Sequence, residues 1–270
     1  MSIKLIAVDM DGTFLSDAKT YNRERFLQQY QRMKQQGIRF AVASGNQYYQ
    51  LKSFFPEIAS EIAFVAENGG WVVNAGEDVY HCDLPQAHFE RVVSWLQTLP
   101  EIEIIACGKN SAYTLRRYDD DFKTMAARYY HRLEAVDSFD NLNDTFLKFG
   151  LNVDDRKVPE MQKIIHAELC DIMTAVTTGH GSIDLIIPGV HKAHGLGLLQ
   201  KRWGIADSEV LAFGDSGNDI EMLRQAGFSF AMANAAEPVK AVARYSAPHN
   251  NQEGVLEIIE KALNQQAPFA

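Results

Sequence analysis

Cysteine is scarce in this 270-residue chain: Cys82, Cys107 and Cys170 stand far apart, form no C-x-x-C pair and are odd in number. A disulfide framework is excluded, and the usage fits a reduced, cytoplasmic compartment. Long hydrophobic runs are also missing, because Lys, Arg, Asp or Glu interrupts every stretch before it reaches the ~18 apolar residues of a membrane span. The opening Met-Ser-Ile-Lys-Leu-Ile-Ala-Val-Asp lacks the apolar centre and small-residue cleavage site of a secretion signal, so no export is expected. Positive charge is in deficit, with 26 Lys and Arg against 35 Asp and Glu and a net charge of -9. Such a chain repels nucleic acid at long range, and any phosphate it binds needs a local positive pocket. No G-x-G-x-x-G follows the first strand-like segment, which argues against a dinucleotide-binding oxidoreductase.

What is present suits a packed globular protein: 46% hydrophobic and 23% charged residues, with a mean hydropathy of -0.21. The length allows one large domain or two unequal ones. Residues 3–8 form a short apolar run that predicts a buried parallel strand. A helical pattern over 22–36 follows, with Phe26, Tyr30 and Met33 on one face and Gly37 as its stop. Strand-like 38–43, a helical pattern that starts at Ser44-Gly45-Asn46 and runs through Tyr49, Leu51, Phe54 and Phe55, and strand-like 62–66 continue the alternation, which predicts a doubly wound parallel α/β sheet. The rhythm changes after Asp83 and returns with a helix over 192–203, a strand over 210–213, a helix over 220–225 and a strand over 228–232. The expected organisation is a core of residues 1–83 and 185–270 interrupted by an inserted α+β module of residues 84–184.

Asp9-Met10-Asp11-Gly12-Thr13 lies at the carboxyl end of the first strand, where open α/β sheets bind ligands. Two carboxylates two residues apart can share one hard cation, although turn and helix-cap roles explain such residues equally well in isolation. Gly214-Asp215-Ser216-Gly217-Asn218-Asp219 follows another apolar strand and would aim Asp215 at the same end, with Asp219 one helical turn further as an orienting group. Ser44-Gly45-Asn46 also joins a strand to a helix, where free N–H groups favour phosphate, though a serine there can be only a cap. Lys192, at the start of a helix, can supply a fixed cation, or be one more surface charge.

In this order, with an insertion before the lysine, DxDGT, SGN, Lys and GDSGND resemble the haloacid dehalogenase-like phosphatases, and the insertion resembles the C2-capped, Cof-type branch. Segments such as Val65-Ala66-Glu67-Asn68-Gly69 and Ile183-Asp184-Leu185-Ile186-Ile187-Pro188-Gly189 extend the resemblance to the sugar phosphatases of that branch. It implies that Asp9 is a nucleophile phosphorylated during turnover and that Asp11 acts as general acid, then base. It implies that Asp9, the Asp11 carbonyl and Asp215 bind Mg2+, and that Met10, Ser44, Gly45, Lys192 and Asn218 surround the phosphoryl oxygens. The implied partner is a small phosphorylated molecule, a sugar phosphate first, with phosphotransfer to a sugar hydroxyl as a side activity. A receiver-like module that binds phosphate without turnover is the alternative, against which Asp11 argues. Tyr129, Tyr130, His131, Arg116 and Arg117 are candidates for a sugar-facing wall, and Gly179-His180-Gly181 for a hinge or a loop reaching the site.

Overall fold

The computed structural model describes residues 3–179 and 181–270, so the expected loop at 179–181 lies partly outside the described residues, at His180. The chain opens with β1 (Leu5–Val8), α1 (Arg23–Gln35), β2 (Arg39–Ala43), α2 (Tyr48–Ser53) and β3 (Ala63–Ala66), then a hairpin of β4 (Trp71–Asn74) and β5 (Glu77–His81). Next come α3 (Gln86–Leu96), β6 (Glu103–Gly108), β7 (Ala112–Leu115), α4 (Asp120–Ala126), β8 (Leu133–Val136), β9 (Phe146–Asn152), α5 (Val158–Leu169), β10 (Thr174–Gly179) and β11 (Ser182–Ile186). The last third holds α6 (Lys192–Trp203), β12 (Val210–Gly214), α7 (Ile220–Gln225), β13 (Phe228–Met232), α8 (Glu237–Lys240), β14 (Tyr245–Ala247) and α9 (Gly254–Leu263).

These strands form two sheets, one of eight strands in the order β14-β13-β12-β1-β2-β3-β4-β5 and one of six in the order β10-β11-β9-β6-β7-β8. The first draws on chain from both sides of the second, whose last strand runs to Ile186. β1 sits near the centre, parallel to β2 and β12, with Val8 level with Val42 and Phe213. All four of its residues are buried, which is why the segment reads as an unbroken apolar run. Because these strands run parallel, the loops that leave β1, β2, β3 and β12 all emerge at one end of the sheet.

The first sheet is not parallel throughout: β3–β4 and β4–β5 pair antiparallel at one edge. The sequence gives no periodic signal for β5, because Glu77-Asp78-Val79-Tyr80-His81 is a partly exposed edge strand. α4 stops at Ala126, three residues before Tyr129. The second sheet carries its own apolar centre around Phe89, Phe146, Phe149, Leu151, Ile165 and Ile183. Gln47 and the Arg132 backbone exchange two hydrogen bonds of 2.8 and 2.9 Å across the boundary, and the Arg132 guanidinium lies 3.6 Å from the centre of the Tyr49 ring. Cys82 and Cys107 are buried thiols and Cys170 is exposed. Among the described residues no helix is long and apolar enough to cross a membrane.

Candidate active site

Asp9 follows directly on β1 and is buried, its N–H donating to the Phe213 carbonyl at 3.2 Å. The chain then turns tightly, Phe14 N–H reaching back to Asp9 O and Leu15 N–H to Met10 O. Gly12 carries a φ of 73°, and a Cβ there would lie 2.4 Å from an Asp215 carboxylate oxygen, so only glycine lets the two acidic loops approach. Thr13 Oγ1 donates to Asp215 Oδ1 at 2.9 Å and Ser216 Oγ to Oδ2 at 3.2 Å, fixing that carboxylate.

Lys192, at the first turn of α6, is wholly buried and donates to Asp9 Oδ1 at 2.6 Å and Asp219 Oδ1 at 2.7 Å. Burial pulls its pKa down, but the two carboxylates, Asp219 and Asp9, more than offset this and raise it above the ordinary value. Asp219 spends its other oxygen on the N–H groups of Asp215 and Ser216, each at 3.0 Å. Its oxygens being so engaged, Asp219 orients the loop and the lysine. Burial pushes the Asp9 carboxyl well above the usual carboxylate range against the pull of Lys192, and pushes Asp215 up to about 6. Oxygens of Asp9, Asp215 and Asp219 lie within 4.8 Å of one another. Three carboxyls thus crowd one buried lysine, with burial opposing the ionisation of Asp9 and Asp215, and an all-oxygen donor set of this kind fits a hard divalent cation, whose charge would favour their ionised forms.

The Asp11 carboxylate turns a different way, accepting from Lys19 Nζ and Asn46 Nδ2, each at 2.6 Å. It lines a cavity of about 360 Å³ together with Asp9, Ser44, Gly45 and Asn218. The Ser44 hydroxyl accepts from the Asn46 N–H at 3.2 Å, the local cap foreseen for that turn, while Ser44 still faces the cavity. Met10 contributes no side chain, since its thioether is buried in the core, so any role it has is confined to its backbone. Tyr129 and Tyr130 line the cavity; His131, Arg116 and Arg117 do not, and the Arg116 guanidinium instead pairs with Asp137 on the surface.

The sequence model of the haloacid dehalogenase-like hydrolases matches residues 6–259. The chain belongs to this family. It is 70% identical over 269 residues to an Escherichia coli protein named 5-amino-6-(5-phospho-D-ribitylamino)uracil phosphatase YbjI, covering 100% of this chain and 99% of that one. A Bacillus subtilis protein, YitU, named for the same phosphatase activity, is 28% identical and is covered over 96% of its length. The crystal structure of SMU.1108c from Streptococcus mutans superposes with a TM-score of 0.94 at 34% identity, covering 97% of this chain and 100% of that one. Around the motifs of this haloacid dehalogenase-like hydrolase stand residues to which the sequence reading assigned no role. Lys19 and Asn46 hold Asp11, Asn234 Nδ2 holds the Gly12 carbonyl at 2.7 Å, and Lys148 and Asp184 reach in from the second sheet.

Glu67, after β3, is a further surprise, buried beside Lys148 and Asp184. Burial pushes its carboxyl up to about 7, so the folded state holds this proton more tightly than the unfolded chain does. Its contribution to stability is therefore full below the unfolded value of 4.5 and is lost as pH rises through about 7, a change on the order of 3 kcal/mol. Glu67→Gln is expected to flatten that decline, and denaturant midpoints for both proteins at about pH 5 and about pH 8 check it.

Proposed function

We propose that this chain is a Mg2+-dependent phosphatase that hydrolyses small phosphomonoesters of sugars or polyols through a phosphorylated Asp9. The observation that carries the reading is the pairing of two aspartates of one loop in two environments. Asp9 is buried against Lys192, while Asp11 is partly exposed on the cavity wall between Lys19 and Asn46. Two carboxyls so differently surrounded suit two different tasks.

An Asp9 oxygen attacks phosphorus, the bond to the leaving oxygen breaks, and Asp11 hands its proton to that oxygen. Asp11 then takes a proton from water, which attacks the same phosphorus and frees Asp9. Lys192 holds Asp9 at a fixed angle, Asp219 holds Lys192, and Ser44, the Gly45 peptide and Asn218 surround the phosphoryl oxygens. Asp9, Asp215 and the Asp11 carbonyl would hold the magnesium ion, whose charge offsets that of carboxylate and phosphate when it is bound.

The rest of the cavity supports a substrate with hydroxyls and a flat ring. Asn152, Thr178 and Ser182 offer polar groups, and Phe122, Met125 and Tyr129 an apolar wall. A ribityl phosphate carrying a pyrimidine, as in the name of the 70% identical relative, has both. The inserted module that supplies these residues is the part that selects the leaving group and screens the reaction from water.

Phosphate release from a panel of sugar phosphates, the ribitylaminouracil phosphate, nucleotides and an aryl phosphate, with magnesium and with chelator, tests the reading. Release is expected only with the metal, and release undiminished by chelator would contradict it. Asp11→Asn separates the roles further. It should slow release of an alkyl leaving group from the first step by roughly 10²–10⁴-fold. An aryl phosphate, whose leaving oxygen needs no proton, should still phosphorylate Asp9 in that variant; equal loss of phosphorylation from both substrates would deny Asp11 the acid's role.

A further inference from the structure

A chain of buried polar groups runs between the two sheets and ends at Asn218; its other members have no part in the mechanism above. Asp184 of β11 accepts from Lys148 Nζ of β9 at 2.7 Å and from Asn68 Nδ2 at 2.5 Å. Asn68 Oδ1 in turn accepts from Asn218 Nδ2 at 2.9 Å. Lys148, Asp184 and Asn68 are each no more than 3% exposed. The core side of this chain is unusual in its backbone: Glu67, Asn68 and Gly69 follow one another at φ of 51°, 56° and 94°. A Cβ on Gly69 would lie 2.3 Å from the His191 carbonyl, so the turn is pinned against the start of α6. Strained backbone held this way usually aims a side chain.

The order of donors gives the aim. A carboxylate only accepts, so Asp184 forces Asn68 to present its NH2, which turns the Asn68 carbonyl to Asn218, which must then present its own NH2. That uses one amide hydrogen of Asn218 and leaves the other to donate to a phosphoryl oxygen, while its Oδ1 is buried without a partner. We propose that Asp184 and Asn68 form a clasp across the two modules that fixes the orientation of the Asn218 amide at the phosphate site. Asp184 is thus a positioning residue supplied by the inserted module, and the site acquires its polarity from the module that covers it. This rests on the reading of Asn218 as a phosphate contact.

Asp184→Asn is the informative variant. In this variant, at about pH 8, Glu67 is ionised and remains as the partner of Lys148, so folding is retained, yet an amide can both give and accept and no longer dictates which way Asn68 lies. Asn68→Gly breaks the chain at the next link, and glycine suits a φ of 56°. Each variant is expected to lose roughly 10- to 100-fold in kcat/KM, by the same factor on the ribitylaminouracil phosphate and on an aryl phosphate, at unchanged melting temperature. The double variant should be no worse than either single one. No loss, additive losses, or a loss confined to the larger substrate would overturn the clasp, the last because the groups would then be reading the leaving group. If the wild type turned over neither substrate, the reading of the site would fall instead. Calorimetry with inorganic phosphate would then decide the clasp alone: binding weakened in both variants supports it, and binding unchanged in either overturns it.

Discussion

Replacing Asp9 by Asn should lower phosphate release by about 10⁴- to 10⁶-fold, the scale on which nucleophiles are lost from covalent mechanisms. The amide keeps the shape of the carboxylate but cannot form the acyl phosphate. The fold should survive the change. Burial already disfavours the charged form of Asp9, and the substitution leaves Lys192 with its second carboxylate partner, Asp219, at 2.7 Å. A melting temperature close to that of the wild type, measured beside the loss of turnover, separates lost chemistry from lost structure. Turnover within tenfold of the wild type would exclude Asp9 as the attacking group.

Lys192→Met carries the second large effect, on stability as well as rate. The lysine is fully buried between Asp9 and Asp219, and removing one member of a buried ion pair strands the others, at about 3–5 kcal/mol. In a chain of this size that corresponds to a fall in melting temperature of roughly 10 °C. Activity should fall by at least about 10²-fold, because a fixed charge beside the phosphoryl group is lost. Magnesium should restore part of the melting temperature of this variant, since an ion bound only by the folded state stabilises it by mass action. A variant as stable as the wild type without magnesium would show that the carboxylates do not depend on the lysine.

Much of this site was legible in the sequence because parallel strands buried on both faces write themselves as apolar runs. Ile3 to Val8 and Val210 to Phe213 are such runs, and the polar residues that follow them, Asp9 and Asp215, fall at one end of the sheet. The β4–β5 hairpin was not legible, since an exposed edge strand need not alternate. Asp184 and Lys148 escaped for a different reason: their partners Asn68 and Glu67 are far away in the chain, 116 residues in the case of Asn68 and Asp184. A signal was nonetheless there. Each is a lone charge inside an apolar strand, Phe146-Leu147-Lys148-Phe149 and Ile183-Asp184-Leu185, and a charge so placed is costly unless it is paired. Of the aromatic and basic residues expected to form a wall, only the two tyrosines reach the cavity: α4 ends at Ala126, and Tyr129 and Tyr130 after it line the cavity while Arg116 meets Asp137 outside.

The central claim is a phosphate carried on Asp9, and borohydride reduction of the quenched enzyme tests it most directly. The Asp11→Asn variant, mixed with an aryl phosphate and magnesium and quenched within a turnover, should accumulate the acyl phosphate, because the residue that activates water is gone. Reduction turns an aspartyl phosphate into homoserine, and peptide mass spectrometry reads the position. Homoserine at residue 9, absent when Asp9 is also replaced by Asn, is the predicted result; phosphate released with no homoserine at any aspartate would mean that water attacks the substrate directly.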